Sequence, residues 1–219
     1  MQRITILTFR GSSNNLSLDE LCVPNSKSLW LYGASMVGRS LETQKKLFTL
    51  AKNDTNRIKT AYSPSSYVCK MGFNLLKPIL SNTDVLIVNK EGAQHLVYKG
   101  ELINLAKLLA EYGPKIVTVS DGLNGVAVYA RDSGEKLHIT PAFDLNIIDT
   151  TGAGDAFGSG FIAGLIMKKT IEQAALIGVL NAEYVIQNVG ATKGIPNREI
   201  MERILANPQE KIRHHISYL

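Results

Sequence analysis

A nine-residue segment brings together glycines, hydroxyl groups and two carboxylates: Asp149-Thr150-Thr151-Gly152-Ala153-Gly154-Asp155-Ala156-Phe157. It joins a predicted strand at residues 146–148 to a predicted helix at residues 154–168. Glycines let the backbone approach a ligand closely, and the first turn of a helix offers N–H groups and a positive dipole end to an anion. Asp155, in that turn, could accept the proton of a hydroxyl group that attacks a bound phosphate.

A simpler interpretation of the same segment is structural. Gly152, Ala153 and Gly154 could form only a tight turn, and the Asp155 carboxylate could favour the N-terminus of the helix through its charge. The bare pattern Gly-x-Gly-Asp does not separate the two interpretations, so at the level of the residues alone both stay open.

The elements that must position this segment alternate along the chain. Gly113-Pro114 ends a strongly amphipathic helix at residues 101–112, Thr170-Ile171-Glu172-Gln173 is a capping box that opens another helix, and Pro196 is predicted to begin the last one. The other predicted elements are strands at residues 3–9, 29–32, 58–62, 85–89 and 116–120, a β-hairpin of residues 125–130 and 136–140, and helices at residues 40–52, with Ser40 as the cap, and 68–80.

Length and composition favour one globular domain. The chain has 219 residues, of which 45% are hydrophobic and 20% charged, and such a chain can bury one sizeable core. Strands that alternate with helices indicate an α/β layered fold with a largely parallel central sheet and a small β appendage near the N-terminus. The apolar runs are far shorter than the roughly 20 residues of a membrane span, which argues against a membrane partner.

Two further features bear on the compartment and on the partners. Residues 1–20 lack the pattern of a secretory signal, and the distant cysteines Cys22 and Cys69 match no metal spacing, so we expect a cytoplasmic protein. The net charge of +5 comes from scattered lysines and arginines without a nucleic-acid motif. We therefore expect no nucleic-acid partner, and a basic surface that helps to attract a nucleotide polyphosphate.

The nine-residue segment resembles the second signature of the PfkB family, whose members phosphorylate sugars, nucleosides and related alcohols with ATP. The resemblance extends from about Ile4 to Pro196 and implies a ribokinase-like layered fold. The other matching segments are Pro64-Ser65 before a helix, Asp84-Val85-Leu86-Ile87-Val88-Asn89, the turn Ser120-Asp121-Gly122-Leu123-Asn124-Gly125, and the loop that contains Gly190-Ala191 and Gly194-x-Pro196. Without the family, the turn at residues 120–125 would be read only as a strand-to-hairpin connection.

The resemblance implies roles for these residues. Asp155 would be the catalytic base, and the backbone N–H groups of Gly152, Ala153 and Gly154 would form the anion hole. ATP would enter with Mg²⁺, and a monovalent cation, K⁺, would be held by Asp149 and Thr151. The residues that would bind the nucleotide are Asn89, Ser120, Gly122, Gly125 and Gly154. Asn181 is left out, because it is offset in register from an Asn that the family often places at the adenine.

One departure from the family concerns the metal network. The family usually has Asn-x-x-Glu at a point where this chain has Asn89-Lys90-Glu91-Gly92. A shift of one residue on a helix rotates a side chain by about 100°. Glu91 is therefore either a displaced member of the Mg²⁺ network or only a charge at the start of a helix, and both interpretations stay open.

A second departure concerns the acceptor side. Family members usually begin with a strand, a Gly-Gly-Asn signature and helices that bind the acceptor, whereas residues 1–15 here resemble the last strand of the family's β lid. Residues 1–219 would thus be the C-terminal nucleotide-binding portion of such a kinase domain, N-terminally truncated, with a remnant of the lid. The loss of the first strands should leave an open sheet edge, which predicts a homodimer or a partner chain on that side.

Two functions follow as hypotheses. The first is an ATP-dependent carbohydrate kinase that acts on a sugar or related alcohol and whose activity the truncation could impair. The second is a non-catalytic nucleotide-binding remnant that serves as a subunit of an assembly. The residues that would choose the acceptor are mostly absent by comparison with the family, and Arg10 is either a sugar contact from the lid remnant or a solvated side chain.

Overall fold

The computed structural model of the chain describes residues 11–21, 30–53, 58–142, 144–207 and 213–219. The predicted strand at residues 3–9, the candidate contact Arg10 and the cysteine Cys22 lie outside the described residues. Within these residues, no helix is long and apolar enough to cross a membrane.

Strands and helices alternate over most of the described chain, as the sequence predicts. The strands are β1 Trp30–Gly33, β2 Lys59–Tyr62, β3 Val85–Asn89, β4 Ile116–Ser120, β5 Val126–Ala130, β6 Glu135–Thr140 and β7 His215–Tyr218. The α-helices are α1 Gly38–Asn53, α2 Ser66–Cys69, α3 Phe73–Leu80, α4 Lys90–Leu96, α5 Leu102–Ala110, α6 Ala153–Ile166, α7 Ile171–Ile186 and α8 Arg198–Ala206.

The strands in the described ranges form one seven-stranded sheet in the order β1-β2-β3-β4-β5-β6-β7. The first four strands pair in parallel, and the pairs from β4 to β7 are antiparallel. The predicted α/β fold with a parallel central sheet is therefore confirmed. The strand β7, which the sequence analysis did not predict, extends the antiparallel part beyond the predicted hairpin.

Helices cover both faces of the sheet. Neighbouring residues of the central strands point to opposite faces and therefore pack against different helices. Leu86 and Val88 of β3 pack in a core cluster with apolar residues of α1, α3, α4 and α5. Val85 and Ile87 of the same strand pack in a second cluster with α6, α7 and α8. The central strands are accordingly apolar on both sides, as is typical of parallel strands between two helical layers.

Two predicted helix starts are shifted in the structure. Ser40 is not a cap but a buried residue inside α1, where its Oγ donates to the Ser13 carbonyl at 2.6 Å and accepts from the Leu16 N–H at 2.9 Å. The last helix begins at Arg198 rather than at Pro196, because Asn197 caps it and accepts from the Ile200 N–H. By contrast, the capping box at Thr170 is present as predicted.

Two other predicted elements differ. The helix expected at residues 68–80 is divided into α2 and α3, since Gly72 takes a φ of 98° between them. Residues 146–148 are not a strand: the N–H groups of Ile148 and Asp149 both donate to the Ile186 carbonyl, near the end of α7. The apolar pair at Ile147 and Ile148 gave the appearance of a strand, but it has no neighbouring strand to pair with among the described residues.

Candidate functional site

A cavity of about 300 Å³ opens at the carboxyl ends of β3 and β4, beside the first turn of α6. Asn89 and Ser120 are the last residues of these strands and are partners in the parallel register. In open α/β sheets this is the edge at which ligands bind. The cavity brings together six residues that the sequence analysis singled out: Asn89, Ser120, Gly122, Gly125, Ala153 and Gly154.

The rest of the cavity wall is mostly apolar. These side chains come from the turn at residues 120–126, from the irregular segment after β6 and from α7: Leu123, Val126, Leu145, Ile147, Val179, Ala182 and Ile186. Sequence reasoning missed them, because apolar residues on α7 carry no signal that separates a ligand wall from an ordinary core. A flat apolar group such as a nucleobase suits this wall, with the polar glycine turns at its ends.

The turn at residues 121–125 is held by its own backbone. The Asp121 N–H donates to the Gly125 carbonyl at 2.8 Å, and the Gly125 N–H donates to the Gly122 carbonyl at 3.1 Å. A ring nitrogen of His138 in β6 lies 2.9 Å from the Asn124 carbonyl oxygen. These bonds fix the conformation of the turn at the edge of the cavity, where its backbone groups can contact a ligand directly.

The first turn of α6 is open to the cavity at Gly154. Around a Cβ built at this residue there is no atom within 4 Å, whereas a Cβ at Gly152 would lie 2.6 Å from the Ala191 carbonyl oxygen. Gly152 also has a left-handed φ of 81°, so this residue both turns the chain and lets it pack against the loop at Ala191. Of the predicted anion-hole donors, Ala153 N–H has an internal partner, the Thr150 carbonyl, at a long 3.3 Å.

Asp149 links this turn to the loop at residues 190–194. Its carboxylate accepts the Thr151 N–H at 2.9 Å and the Gly190 N–H at 3.1 Å. Hydrogen bonds from the Thr151 side chain, and then from these two N–H groups, hold the pKa of Asp149 below its ordinary value. The two residues predicted to hold a monovalent cation are therefore in contact, and the carboxylate is ionised at neutral pH.

Asp155 lies exposed in the first turn of α6. Burial raises the pKa of Tyr32 in β1, and the charge of Asp155 adds to this rise, so the two side chains lie near each other. Tyr32 comes from the carboxyl end of its strand. The candidate base is thus placed at the same edge of the sheet as the cavity, although Asp155 itself does not line the cavity.

The structure separates Glu91 from the cavity. Glu91 is exposed in the first turn of α4, and it is not among the residues that line the cavity. Gly92, where the resemblance noted from the sequence would place a glutamate, is buried, and a Cβ there would lie 2.9 Å from Val88 Cγ2 and 3.1 Å from Cys69 Sγ. Asn89 accepts the Gly92 N–H at 2.8 Å and thereby caps α4. In the ranges that the structure describes, there is no group of three or more His, Cys, Asp and Glu side chains that could hold a metal ion.

An ion pair not singled out from the sequence joins the two strand ends. Lys90 Nζ lies 2.7 Å from Asp121 Oδ2, and Asn124 Nδ2 donates to the same oxygen at 3.1 Å. The hydrogen bond from Lys90 is the main cause that lowers the pKa of Asp121. Lys90 and Asp121 directly follow the register pair of Asn89 and Ser120, so the ion pair ties the start of α4 to the turn of the cavity.

A buried polar pair supports the far wall. Glu183 of α7 lines the cavity, accepts the Ala142 N–H at 2.8 Å, and lies 3.0 Å from a ring nitrogen of the fully buried His214. Asn181, two residues earlier in α7, points to another side of the helix: its amide donates to the Ala156 carbonyl at 3.3 Å, between α6 and α7.

Comparison with known proteins gives the relationships of the chain. Residues 2–198 match the sequence profile described as pfkB family carbohydrate kinase. An uncharacterized sugar kinase of Archaeoglobus fulgidus is 26% identical over 196 residues, which are 87% of this chain and 74% of that protein.

Two solved structures share the fold. A ribokinase from Thermotoga maritima superposes with a TM-score of 0.73 at 24% identity, over 93% of this chain and 65% of that one. The ribokinase of Arabidopsis thaliana, solved with ribose and ATP, has a TM-score of 0.68 at 18% identity, over 81% of this chain and 56% of that one. The chain therefore spans less than two thirds of the length of either ribokinase.

Proposed function

Since the chain belongs to the pfkB family of carbohydrate kinases, we propose that it binds ATP and transfers the γ-phosphoryl group to a hydroxyl of a sugar or related alcohol. One observation carries this proposal: Asn89, Ser120, Gly122 and Gly125 line one cavity with the first turn of α6. An apolar wall for a base next to a helix N-terminus for phosphates is the arrangement that a nucleotide requires.

Phosphate binding is assigned to the start of α6. Gly154 has open space where a side chain would be, so an anion can approach the backbone of the first turn. The positive end of the helix dipole favours negative charge there, and this charge grows on the transferring group as the reaction proceeds. The Ala153 N–H, whose bond to Thr150 is long, would turn to the phosphate when the nucleotide binds.

The reaction follows from this placement. The carboxylate of Asp155 takes the proton of the acceptor hydroxyl, a bond forms between that oxygen and the γ-phosphorus, and the bond from the γ-phosphorus to the β–γ bridging oxygen breaks. ADP leaves with the electron pair of the broken bond. Magnesium enters as part of the metal–nucleotide substrate, and phosphate oxygens and water supply most of the ligands that Mg²⁺ prefers.

We assign Asp149 and Thr151 to a monovalent cation, K⁺. The carboxylate is ionised, and the three hydrogen bonds that it accepts leave one of its roughly four lone-pair sites for a cation. Because Asp149 joins the α6 turn to Gly190, a cation bound here would fix both segments at once. If K⁺ fails to lower the Kd for ATP below the value in a large organic cation, this assignment is wrong.

A second candidate function is a nucleotide-binding subunit without catalysis. Two observations favour it: Glu91 lies outside the cavity lining, and position 92 has no room for a glutamate in its place. In this case the cavity would bind ATP, and the metal network needed for transfer would be incomplete.

The free edge of β1 supports a proposal about assembly. Among the described residues, β1 pairs only with β2, and unpaired strand edges favour association. We propose that a second copy or a partner chain covers this edge, in a cytoplasmic protein whose Cys69 stays reduced, since this thiol is buried and free. A monomer in analytical ultracentrifugation at micromolar concentration would contradict the assembly.

The test combines binding with turnover. Calorimetry with ATP and magnesium is run beside a phosphorylation screen of ribose, fructose, ketodeoxygluconate and nucleosides. Product from one acceptor supports the kinase, binding without product supports the subunit, and no ATP binding contradicts both. Asp155→Asn should lower turnover by about 10²–10⁴-fold, the usual contribution of a general base, with an ATP Kd close to that of the unsubstituted protein. Asp132→Asn, which changes an exposed carboxylate in the hairpin, is the matched control.

A further inference from the structure

Tyr32 lies on the face of the sheet that α6 covers. It belongs to β1, and the register pairs it with Ala61 of β2. Ala61 is part of the core cluster that includes α6, and Trp30 packs against the same cluster. Because side chains alternate along a strand, Tyr32 points to the same face as Trp30.

The position of the hydroxyl depends on a glycine of α6. A Cβ at Gly158 would lie 2.5 Å from Tyr32 Oη, so a side chain at this position would displace the hydroxyl. Gly158 follows Asp155 by three residues, and residues with this spacing are neighbours on one side of a helix. The Tyr32 hydroxyl is therefore held about one helical turn from the candidate base.

The chemical state of the hydroxyl suits a hydrogen-bond donor. Burial raises the pKa of Tyr32 above its ordinary value, a hydrogen bond with Ser63 opposes part of this rise, and the negative charge of Asp155 adds to it. The hydroxyl therefore keeps its proton at neutral pH. The residue is still 38% exposed, so a ligand can reach part of the ring.

This group is separate from the nucleotide cavity. Tyr32, Ser63 and Asp155 are absent from the residues that line it, although they lie at the same edge of the sheet. In a transfer reaction, the acceptor must approach the base from a side that the nucleotide leaves open. Tyr32 is thus a partly exposed polar group near Asp155 that has no assigned role in nucleotide binding.

We propose that Tyr32 is a contact residue for the acceptor. Its hydroxyl hydrogen-bonds to one hydroxyl of a neutral polyhydroxylated compound, while Asp155 takes the proton of a neighbouring hydroxyl of the same compound. The accessible part of the ring packs against the C–H groups of the acceptor. This inference rests on the proposed kinase function, and it names the acceptor class as one with at least two hydroxyls close together.

The test separates the hydroxyl from the ring. Tyr32→Phe should raise the acceptor KM by about tenfold, the upper range for one lost hydrogen bond, with the KM for ATP changed less than twofold. Ser63→Ala should shift the same parameter in the same direction by a smaller factor. Tyr98→Phe, a change at a tyrosine that is 86% exposed, is the matched control. An acceptor KM of Tyr32→Phe equal to that of the control overturns the inference.

A binding measurement covers the case without turnover. Saturation-transfer NMR is run on the full chain with ADP and the same panel of sugars and nucleosides. Acceptor binding that is lost in Tyr32→Ala supports the inference even when no product forms, and then only the proposed catalysis fails. Acceptor binding that survives Tyr32→Ala, or no binding of any acceptor to the unsubstituted protein, overturns the inference.

Discussion

Lys90 Nζ lies 2.7 Å from Asp121 Oδ2, and the two residues follow the paired ends of β3 and β4. Their side chains are 39% and 26% exposed, so solvent screens the ion pair and its effect on global stability is small, about 0.2–1 kcal/mol. The ion pair connects the capped start of α4 to the turn at residues 121–125, so we expect it to affect the shape of the cavity more than global stability.

Lys90→Met should weaken ATP binding severalfold and should lower the unfolding free energy by less than about 1 kcal/mol. Since the folded pKa of Asp121 is lowered, the contribution of the pair is fully present above the ordinary Asp pKa of about 4 and is lost as the pH falls through the lower folded value. Calorimetric ATP binding and urea unfolding between neutral and acid pH check both parts. Lys99→Met, at an exposed site before α5, is the control, and equal ATP affinities in the two variants would contradict the prediction.

Alanine substitutions at two glycines of the α6 turn should have opposite effects. Gly152→Ala places a side chain at a left-handed φ and against Ala191, so it should lower the unfolding free energy by at least about 1–3 kcal/mol. Gly154→Ala meets open space in a helix, so it should raise stability by up to about 1 kcal/mol. The same methyl group would stand where the phosphate approaches, and the ATP Kd should rise at least tenfold.

The control for these glycines is Gly134→Ala in the hairpin, where φ is 70° but a Cβ would have no atom within 4 Å. It measures the cost of the backbone conformation alone. Thermal unfolding gives the stability of the three variants, and calorimetry gives their Kd for ATP. A Gly154→Ala protein that binds ATP normally would remove the first turn of α6 from the phosphate site.

Restoring the family's glutamate at position 92 should not repair a metal network. Gly92→Glu forces a side chain against Val88 and Cys69, and such overpacking costs about 1–3 kcal/mol or more. Gly92→Ala introduces only the first carbon and should lose less stability. Differential scanning calorimetry gives the order of the unfolding temperatures. The prediction is wrong if the Gly92→Glu protein is as stable as the unsubstituted one and needs a lower magnesium concentration for activity. This result would show that α4 can rotate to admit the side chain.

The buried pair of Glu183 and His214 should matter for both stability and binding. His214→Ala leaves the carboxylate of Glu183 in the interior without its ring partner, which should cost about 3–5 kcal/mol of unfolding free energy. Because Glu183 lines the cavity, the ATP Kd should rise as well. Urea unfolding and calorimetry check the two effects. His95→Ala, at an exposed residue of α4, should change neither the unfolding free energy nor the ATP Kd. If both variants lose similar amounts of stability and ATP affinity, the prediction for the Glu183–His214 pair is wrong.

The sequence predicted the fold, and it singled out residues that line the cavity, from local patterns. Glycines, a capping box and apolar periodicity are short-range signals, so the α6 turn, the hairpin and the start of α7 at Thr170 could be read from neighbouring residues. The strand expected at residues 146–148 was wrong, because apolar residues also line cavities, and only the bonds to Ile186 show that this segment is irregular.

Contacts between distant parts of the chain could not be read in this way. The pairing of His214 with Glu183, 31 residues apart, depends on how β7 joins the sheet. The position of Tyr32 beside α6 depends on the parallel order of the first strands and on the space left by Gly158. Neither His214 nor Tyr32 belongs to a recognisable sequence pattern. Their neighbours are known only from the three-dimensional arrangement of the strands and helices.

The order of the chain has a consequence for biosynthesis. Every described residue that lines the cavity precedes residue 187, whereas His214, which lies beside Glu183, belongs to the segment at residues 213–219. During translation, the glycine turns and α7 therefore leave the ribosome before His214 does. At that stage the carboxylate of Glu183, in the wall of the cavity, lacks its contact with the ring of His214. The cavity of the nascent chain should thus reach its full affinity for a ligand only after His214 has packed against Glu183.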